Sequence, residues 1–189
     1  MSIQNYAPLG CLPAPTASGT TVSFTDPWGE VWVARSTYAA GAWRKARDVL
    51  HGYAYRSATG LAMPTANATI QFDTVLRDVH GMWNAATWSF VLPIAGWWWC
   101  YGAVTTAATA AGYYIQGDLM AGPAASMVGI LAPNVTNAVA GGMYYRAYGA
   151  YYAAAQDNIR LMAYLDLASQ TVTTGQGYTK LEVSYMGTG

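Results

Sequence analysis

The pattern of the chain centres on FDTVLRDVHGMWNAATWSFVLPIAGWWWCYG, residues 72–102. Its apolar anchors are aromatic and unevenly spaced: Phe72, Trp83, Trp88 and Phe90, then Trp97, Trp98 and Trp99 with Tyr101 behind them. Pro93 and Gly96 punctuate the run. Continuous apolar stretches bounded by Gly and Pro predict buried strands rather than helix. Side chains on a strand alternate between its faces, so three consecutive tryptophans put large apolar groups on both. One face can pack into the protomer's own core. The other needs a second cover, which in a small domain is expected to be another subunit.

Upstream, residues 1–20 carry Pro8, Pro13 and Pro15 among small residues and predict an extended arm. Residues 22–56 predict a short β-unit, with a turn at Asp26-Pro27 and Gly29 and an alternating strand in EVWVAR. Within residues 42–51 the spacing of Trp43, Ala46, Val49 and Leu50 suits an amphipathic helix as well as a strand. Residues 57–71 are small and polar and read as a connector. Downstream, TTAATAAG (105–112) predicts a loop or hairpin tip. Residues 112–153 then alternate apolar clusters with Gly, Pro and Asn, as in a β-meander. The chain thus divides into an N-terminal arm with a small attachment unit, residues 1–70, and a head, residues 71–189. Heptads, collagen triplets and a long helical period are all missing, so the head itself must hold any oligomer together.

Composition sharpens this picture. Of the 189 residues 53% are hydrophobic and 14% aromatic, while only 10% are charged, with formal net charge +0. So little charge leaves apolar surface to be buried between subunits. No window reaches the roughly 18 apolar residues of a membrane helix, so membrane insertion is not expected. Zero net charge argues against nucleic acid as a partner, which calls for a basic footprint. The first residues lack the basic start and apolar core of a secretion signal, and folding inside a cell is expected. In that reducing setting Cys11 and Cys100 read as idle or buried thiols ahead of a disulfide pair. The sequons at Asn67 and Asn134 then carry no weight.

Candidate chemistry is sparse. His51 and His80 stand alone, without metal-ligand spacing. Asp73 and Asp78 could form a calcium pair, but a turn aspartate and a strand-end cap fit two carboxylates better, since hard cations gather more oxygens. Ser126 and Ser169 lack a nucleophile elbow. Arg44, Lys45 and Arg47 read as a solvated face balanced by Glu30 and Asp48. No catalysis, metal or cofactor is expected. Tyr144, Tyr145, Tyr148, Tyr151 and Tyr152 suit either a subunit contact or a ligand surface, because tyrosine joins apolar area to a polar tip.

The spacing Phe72, Asp78, Trp83, Phe90, Gly96 resembles the signature of the globular head of complement component one, subcomponent q, within the tumour-necrosis-factor-like jelly-roll superfamily. That family follows its glycine with an aromatic, a phenylalanine and an aromatic at alternate positions. Here these are Trp98, Cys100 and Gly102, and the bulk lies at Trp97, Trp99 and Tyr101 instead. AAQDNIRLMAYL (153–164) is similar to the family's polar turn before a late strand, and YTKLEVSYMG (178–187) to its closing strand. The resemblance spans about residues 70–189 and implies an all-β jelly-roll sandwich that forms a homotrimer. It implies a core of Phe72, Trp83, Phe90 and Trp98, and a trimer interface at Trp97, Trp99 and Tyr101.

A second, shorter resemblance lies upstream. Val31-Trp32-Val33, then Gly41-Ala42-Trp43 before Arg44 and Lys45, is similar to segments of bacteriophage minor tail and tail-fibre proteins. It favours strand for residues 42–51 and implies a non-enzymatic virion structural protein, made in the host cytoplasm. Residues 1–70 would join it to other virion proteins. A minor tail or tail-tip component and a capsid-decorating or head-fibre protein both fit, as does a cellular ligand-binding module of the same fold. A host glycan or protein would meet Tyr144, Tyr145, Tyr148, Asn134 and Asn137, whose rings and amides suit sugar faces and hydroxyls.

Overall fold

The computed structural model describes residues 21–26, 29–35, 43–78, 80–109, 114–131, 136–137, 141–165 and 171–188. The first two strands, β1 (Thr21–Thr25) and β2 (Val31–Arg35), pair antiparallel across a turn that Asp26 organises. Its carbonyl accepts the Gly29 N–H at 2.9 Å, and its carboxylate accepts the Glu30 N–H at 2.9 Å and the Trp32 indole N–H at 3.1 Å. β3 (Arg44–Lys45) adds to β2 and runs straight into α1 (Ala46–Val49), one helical turn. Residues 43–51 therefore hold both elements that the spacing suits: Arg44, Lys45 and His51 are strand, and Ala46–Val49 is a helical turn. Leu50 is fully buried, and its carbonyl accepts the Tyr185 N–H at 2.9 Å, tying this unit to the head.

The remaining strands build two antiparallel sheets. β4 (His51–Tyr55), β6 (Thr74–Asp78), β9 (Gly96–Thr109), β13 (Gly141–Ala153) and β15 (Lys180–Gly187) form one, in the order β13-β9-β15-β4-β6. The other runs β11 (Val128–Leu131), β10 (Tyr114–Gly122), β14 (Asn158–Leu165), β8 (Ser89–Val91), β7 (Trp83–Asn84). β12 (Thr136–Asn137) joins β10, and β5 (Ala68–Thr69) joins β14. Sequence neighbours rarely pair, because the chain crosses between sheets as a jelly roll requires. The architecture is an all-β jelly-roll sandwich.

β4 pairs with β15 and β6, and β5 with β14, so His51–Tyr55 and Ala68–Thr69, which the sequence reading assigned to the N-terminal unit, are strands of the sandwich sheets. β9 continues through Thr109, so Thr105 to Thr109 are strand and not a hairpin tip. Pairing with β13, Thr105 opposite Tyr144 and Thr109 opposite Gly141, outweighs the low bulk of that stretch.

Between the sheets lies one apolar core. Trp98, Cys100 and Val104 of β9 and Leu181 and Val183 of β15 face Ile115, Leu119, Ile159, Leu161 and Leu165 of the opposite sheet. Phe72 and Phe90 are fully buried, and Trp83 packs edge-on against them at 6.3 and 5.0 Å. Burying each such large side chain contributes about 1.5–3 kcal/mol. Val31, Val33 and Ala46 belong to the same cluster, so the N-terminal sheet shares this core. At Gly102 a Cβ would come within 2.8 Å of Leu161 Cδ1 and 3.3 Å of Leu119 Cδ1. The opposite sheet's leucines fill the space that an aromatic would otherwise take, which accounts for the glycine. Cys100 is a free, buried thiol, and burial pushes it up to about 12, so it stays protonated. Cys11 lies outside the described residues.

Two aspartates latch the loops around β6. Asp73 accepts the Ser57 N–H at 2.7 Å, the Ser57 hydroxyl at 2.8 Å and the Ala58 N–H at 2.9 Å, and pairs with the Arg56 guanidinium at 3.1 Å. Asp78 accepts the N–H groups of Met82 and Trp83 at 2.7 and 2.8 Å. Partial burial pushes the Asp73 carboxyl up, but the N–H groups of Ser57 and Ala58 and the Ser57 and Thr74 hydroxyls outweigh it and hold the group at about 2.

A folded-state value below the ordinary 3.8 makes the latch stabilising above that range and lost as pH falls toward 2. Asp73→Asn is therefore expected to lower the melting temperature at about pH 7, the gap to wild type closing by about pH 2. Thermal melts across that range check it; a gap independent of pH contradicts the latch. Gly96, with φ 143°, opens β9, and a Cβ there would lie 2.7 Å from both the Gly187 carbonyl and the Tyr185 ring. Gly96→Ala is expected to cost about 1–3 kcal/mol from backbone strain before the clash is counted. Chemical denaturation measures it, and an unchanged midpoint contradicts the role given to this glycine.

Candidate functional site

Alternation along GWWWCYG sends Trp98 and Cys100 into the core and turns Trp97, Trp99 and Tyr101 to the outer face of the five-stranded sheet. The same period along β13 buries Tyr145 and Ala147 and turns out Tyr144, Arg146, Tyr148 and Tyr152. The two strands pair so that these residues meet: Tyr152 opposite Trp97, Tyr148 opposite Tyr101. Trp97 and Tyr152 are 5.6 Å apart edge-on, Trp99 and Tyr148 5.9 Å, and Tyr101 stacks on Tyr148 at 6.4 Å. The tryptophans are 41% and 39% exposed and the two tyrosines 60% and 52%. Contiguous exposed aromatic surfaces of this kind are characteristic of interaction sites.

A few polar groups are set into the rings. Across β15 and β4 the row of Tyr101 continues to Glu182 and Tyr53, and the row of Trp99 to Ser184 and His51. His51 Nε2 lies 2.9 Å from Glu182 Oε1. Lys180 Nζ sits 4.9 Å from the Tyr101 ring and 5.4 Å from the Tyr53 ring, and the Arg146 guanidinium 4.1 Å from Tyr144. The hydroxyls of Tyr101 and Tyr144 are 3.3 Å apart. Burial, then the Tyr144 hydroxyl, pushes the Tyr101 phenol up to about 12; burial, then Glu182, raises Tyr53.

The predicted residues sort as follows. Trp97, Trp99 and Tyr101 share the outer face; Phe72, Phe90 and Trp98 are buried and Trp83 borders the core. Tyr144 and Tyr148 lie on the same face as the tryptophans, so the two residue sets read separately from sequence form one surface. Tyr145 is a correction: it is fully buried and its hydroxyl donates to the Gly117 carbonyl at 2.6 Å, which withdraws it from any ligand surface. Alternation opposes it to its neighbours on β13. Asn134 lies outside the described residues, and Asn137 is placed on β12 with no side chain described. Sequence reading missed the polar members Arg146, Lys180 and Glu182. Nothing in the chain links His51 to Glu182, 131 positions away, although the alternation of KLEVSYMG does put Lys180, Glu182 and Ser184 on one face.

Other candidates are used locally. Asp73 and Asp78 spend their carboxylates on backbone N–H groups, and among the described residues no three His, Cys, Asp or Glu side chains cluster as metal ligands. Lys45 and Arg47 both pair with Glu30, at 3.2 and 3.1 Å, which partly neutralises the basic cluster. His80 is buried. No described helix is long and apolar enough to cross a membrane.

No family model and no curated protein matches the chain. Solved structures do. The globular domain of a zebrafish complement 1qA protein superposes with a TM-score of 0.56 at 10% identity, covering 74% of this chain and 98% of that one. Murine APRIL gives 0.52 at 13% identity, covering 72% and 98%, and a second murine APRIL structure 0.51 at 12%, covering 72% and 99%. At such identities the likeness is one of fold: the sandwich is a jelly roll of the complement-1q and tumour-necrosis-factor type.

Proposed function

We propose that this chain is a non-enzymatic structural protein that assembles as a homotrimer through the aromatic face, and serves in a bacteriophage virion as a minor tail or tail-tip component. The carrying observation is the face itself: Trp97, Trp99, Tyr101, Tyr148 and Tyr152 outward on adjacent strands of a sandwich whose inner face is already filled. Closed association of three copies covers that surface without leaving a sticky patch. The virion setting is supported by the Val31–Val33 and Gly41–Lys45 resemblance to tail proteins and by the Pro-rich arm. A capsid-decorating role rests on the same features.

Attachment to the particle falls to residues 1–50, since β4 and β5 are strands of the head. Host adhesion through Tyr144 and Tyr148 conflicts with this reading, because covering Trp99 also covers its 5.9 Å neighbour Tyr148. Holding the three copies together is the role left to the head.

Solution mass is expected at three times the chain mass at micromolar concentration; a stable monomer overturns the trimer. Trp99→Asp is expected to leave a folded monomer, because the side chain is 39% exposed in the protomer but would strand a charge in a dry seam. The trimer dissociation constant should rise about thirtyfold or more, as for a hot-spot residue. Deleting residues 1–20 is expected to give a soluble trimer absent from purified particles; normal incorporation shows that the arm is not the anchor.

A further inference from the structure

We propose that the seam between copies is keyed by charge: Arg146 and Lys180 of one copy receive the carboxylate of Glu182 of the partner subunit. This rests on the reading of the aromatic face as a seam. Arg146 and Lys180 both stand opposite Ala103, one from β13 and one from β15. One row of the face therefore carries a cation on each side of β9, two inter-strand spacings or about 9–10 Å apart. The ion pairs among the described residues engage Lys45, Arg47 and Arg56, and neither of these two cations. Rings alone cover them: Tyr144 beneath Arg146, Tyr101 and Tyr53 beside Lys180.

That cover suffices in water and falls short in a seam. A ring face offsets only a small part of what an ion loses when it is stripped of water without a counter-charge. The carboxylate of the face is Glu182, one row along β15 from Lys180. Its Oε1 takes His51, and among the described residues Oε2 takes no hydrogen bond. Contacts in a ring of three are heterologous, so different patches of the same face meet. A cationic row beside a carboxylate is complementary to itself in that arrangement. Aromatic rings alone would let the copies slide; unlike charges fix register and reject wrong partners.

The test is a charge swap read by native mass spectrometry and sedimentation. E182K alone and R146E/K180E alone are expected to be monomers, with dissociation constants raised about a hundredfold. The combined R146E/K180E/E182K chain is expected to return to a trimer that does not exchange subunits with wild type. A combined variant that is folded by circular dichroism yet monomeric overturns the proposal, as does E182K assembling like wild type. If E182K does not fold, E182Q keeps the shape and an acceptor for His51; about tenfold weaker assembly is expected, and unchanged assembly overturns the proposal. A monomeric wild-type chain removes the seam reading and this proposal together, which differs from a wild-type trimer indifferent to these charges.

Discussion

A strand can present only every second side chain to one core, and β9 carries bulk at consecutive positions from Trp97 to Trp99. Trp98 fills the sandwich; Trp97 and Trp99 have nowhere to go inside the protomer. β13 repeats the situation with Tyr144 and Tyr145 and again with Tyr151 and Tyr152, and pairs with β9 so that the excess bulk of both strands gathers on one surface. The apolar outer face thus follows from a period of two applied to runs that do not alternate. Selection for folding alone would have placed polar residues at those positions.

The inner face is correspondingly complete. Gly102 gives its volume to Leu161 and Leu119, and Tyr145 lies over Gly117 with its hydroxyl satisfied by that residue's carbonyl. Such close fits leave the sheets little freedom to rearrange, because interiors are packed to crystal-like density. The outer face is therefore presented by a rigid support, and its rings are already ordered by pairing across strands. Association of such a surface loses little side-chain freedom, which favours affinity for a given area. Arg146, Lys180, Glu182 and His51 are the polar marks set among its rings.

The N-terminal sheet changes the picture of a head on an independent mount. Val31, Val33, Ala46 and Leu50 enter the common core, and the Leu50 carbonyl is bonded to Tyr185 at the end of the sandwich. A force applied to the N-terminal strands would therefore be transmitted directly to β15, which lies beside the aromatic face. Such a coupling suits a structural component better than a flexible tether does.

Local alternation and turn chemistry, which neighbouring residues settle among themselves, make the strand-rich character, the turn at Asp26 and the two-faced run 96–102 legible in the sequence. Through its resemblance to the complement-1q head, the sequence also implies the buried places of Phe72, Phe90 and Trp98. It also shows the apolar excess, though not where the excess collects. That β4 and β5 belong to the sandwich emerges only from the folded chain, because strand membership depends on partners far along the sequence. Only it turned Tyr145 inward while leaving Tyr144 and Tyr148 out, since the phase of a period is set by register with β9 and not by composition. The meeting of His51 with Glu182, and of Arg146 and Lys180 across Ala103, likewise arises from pairing between distant strands, where sequence distance carries no information about contact.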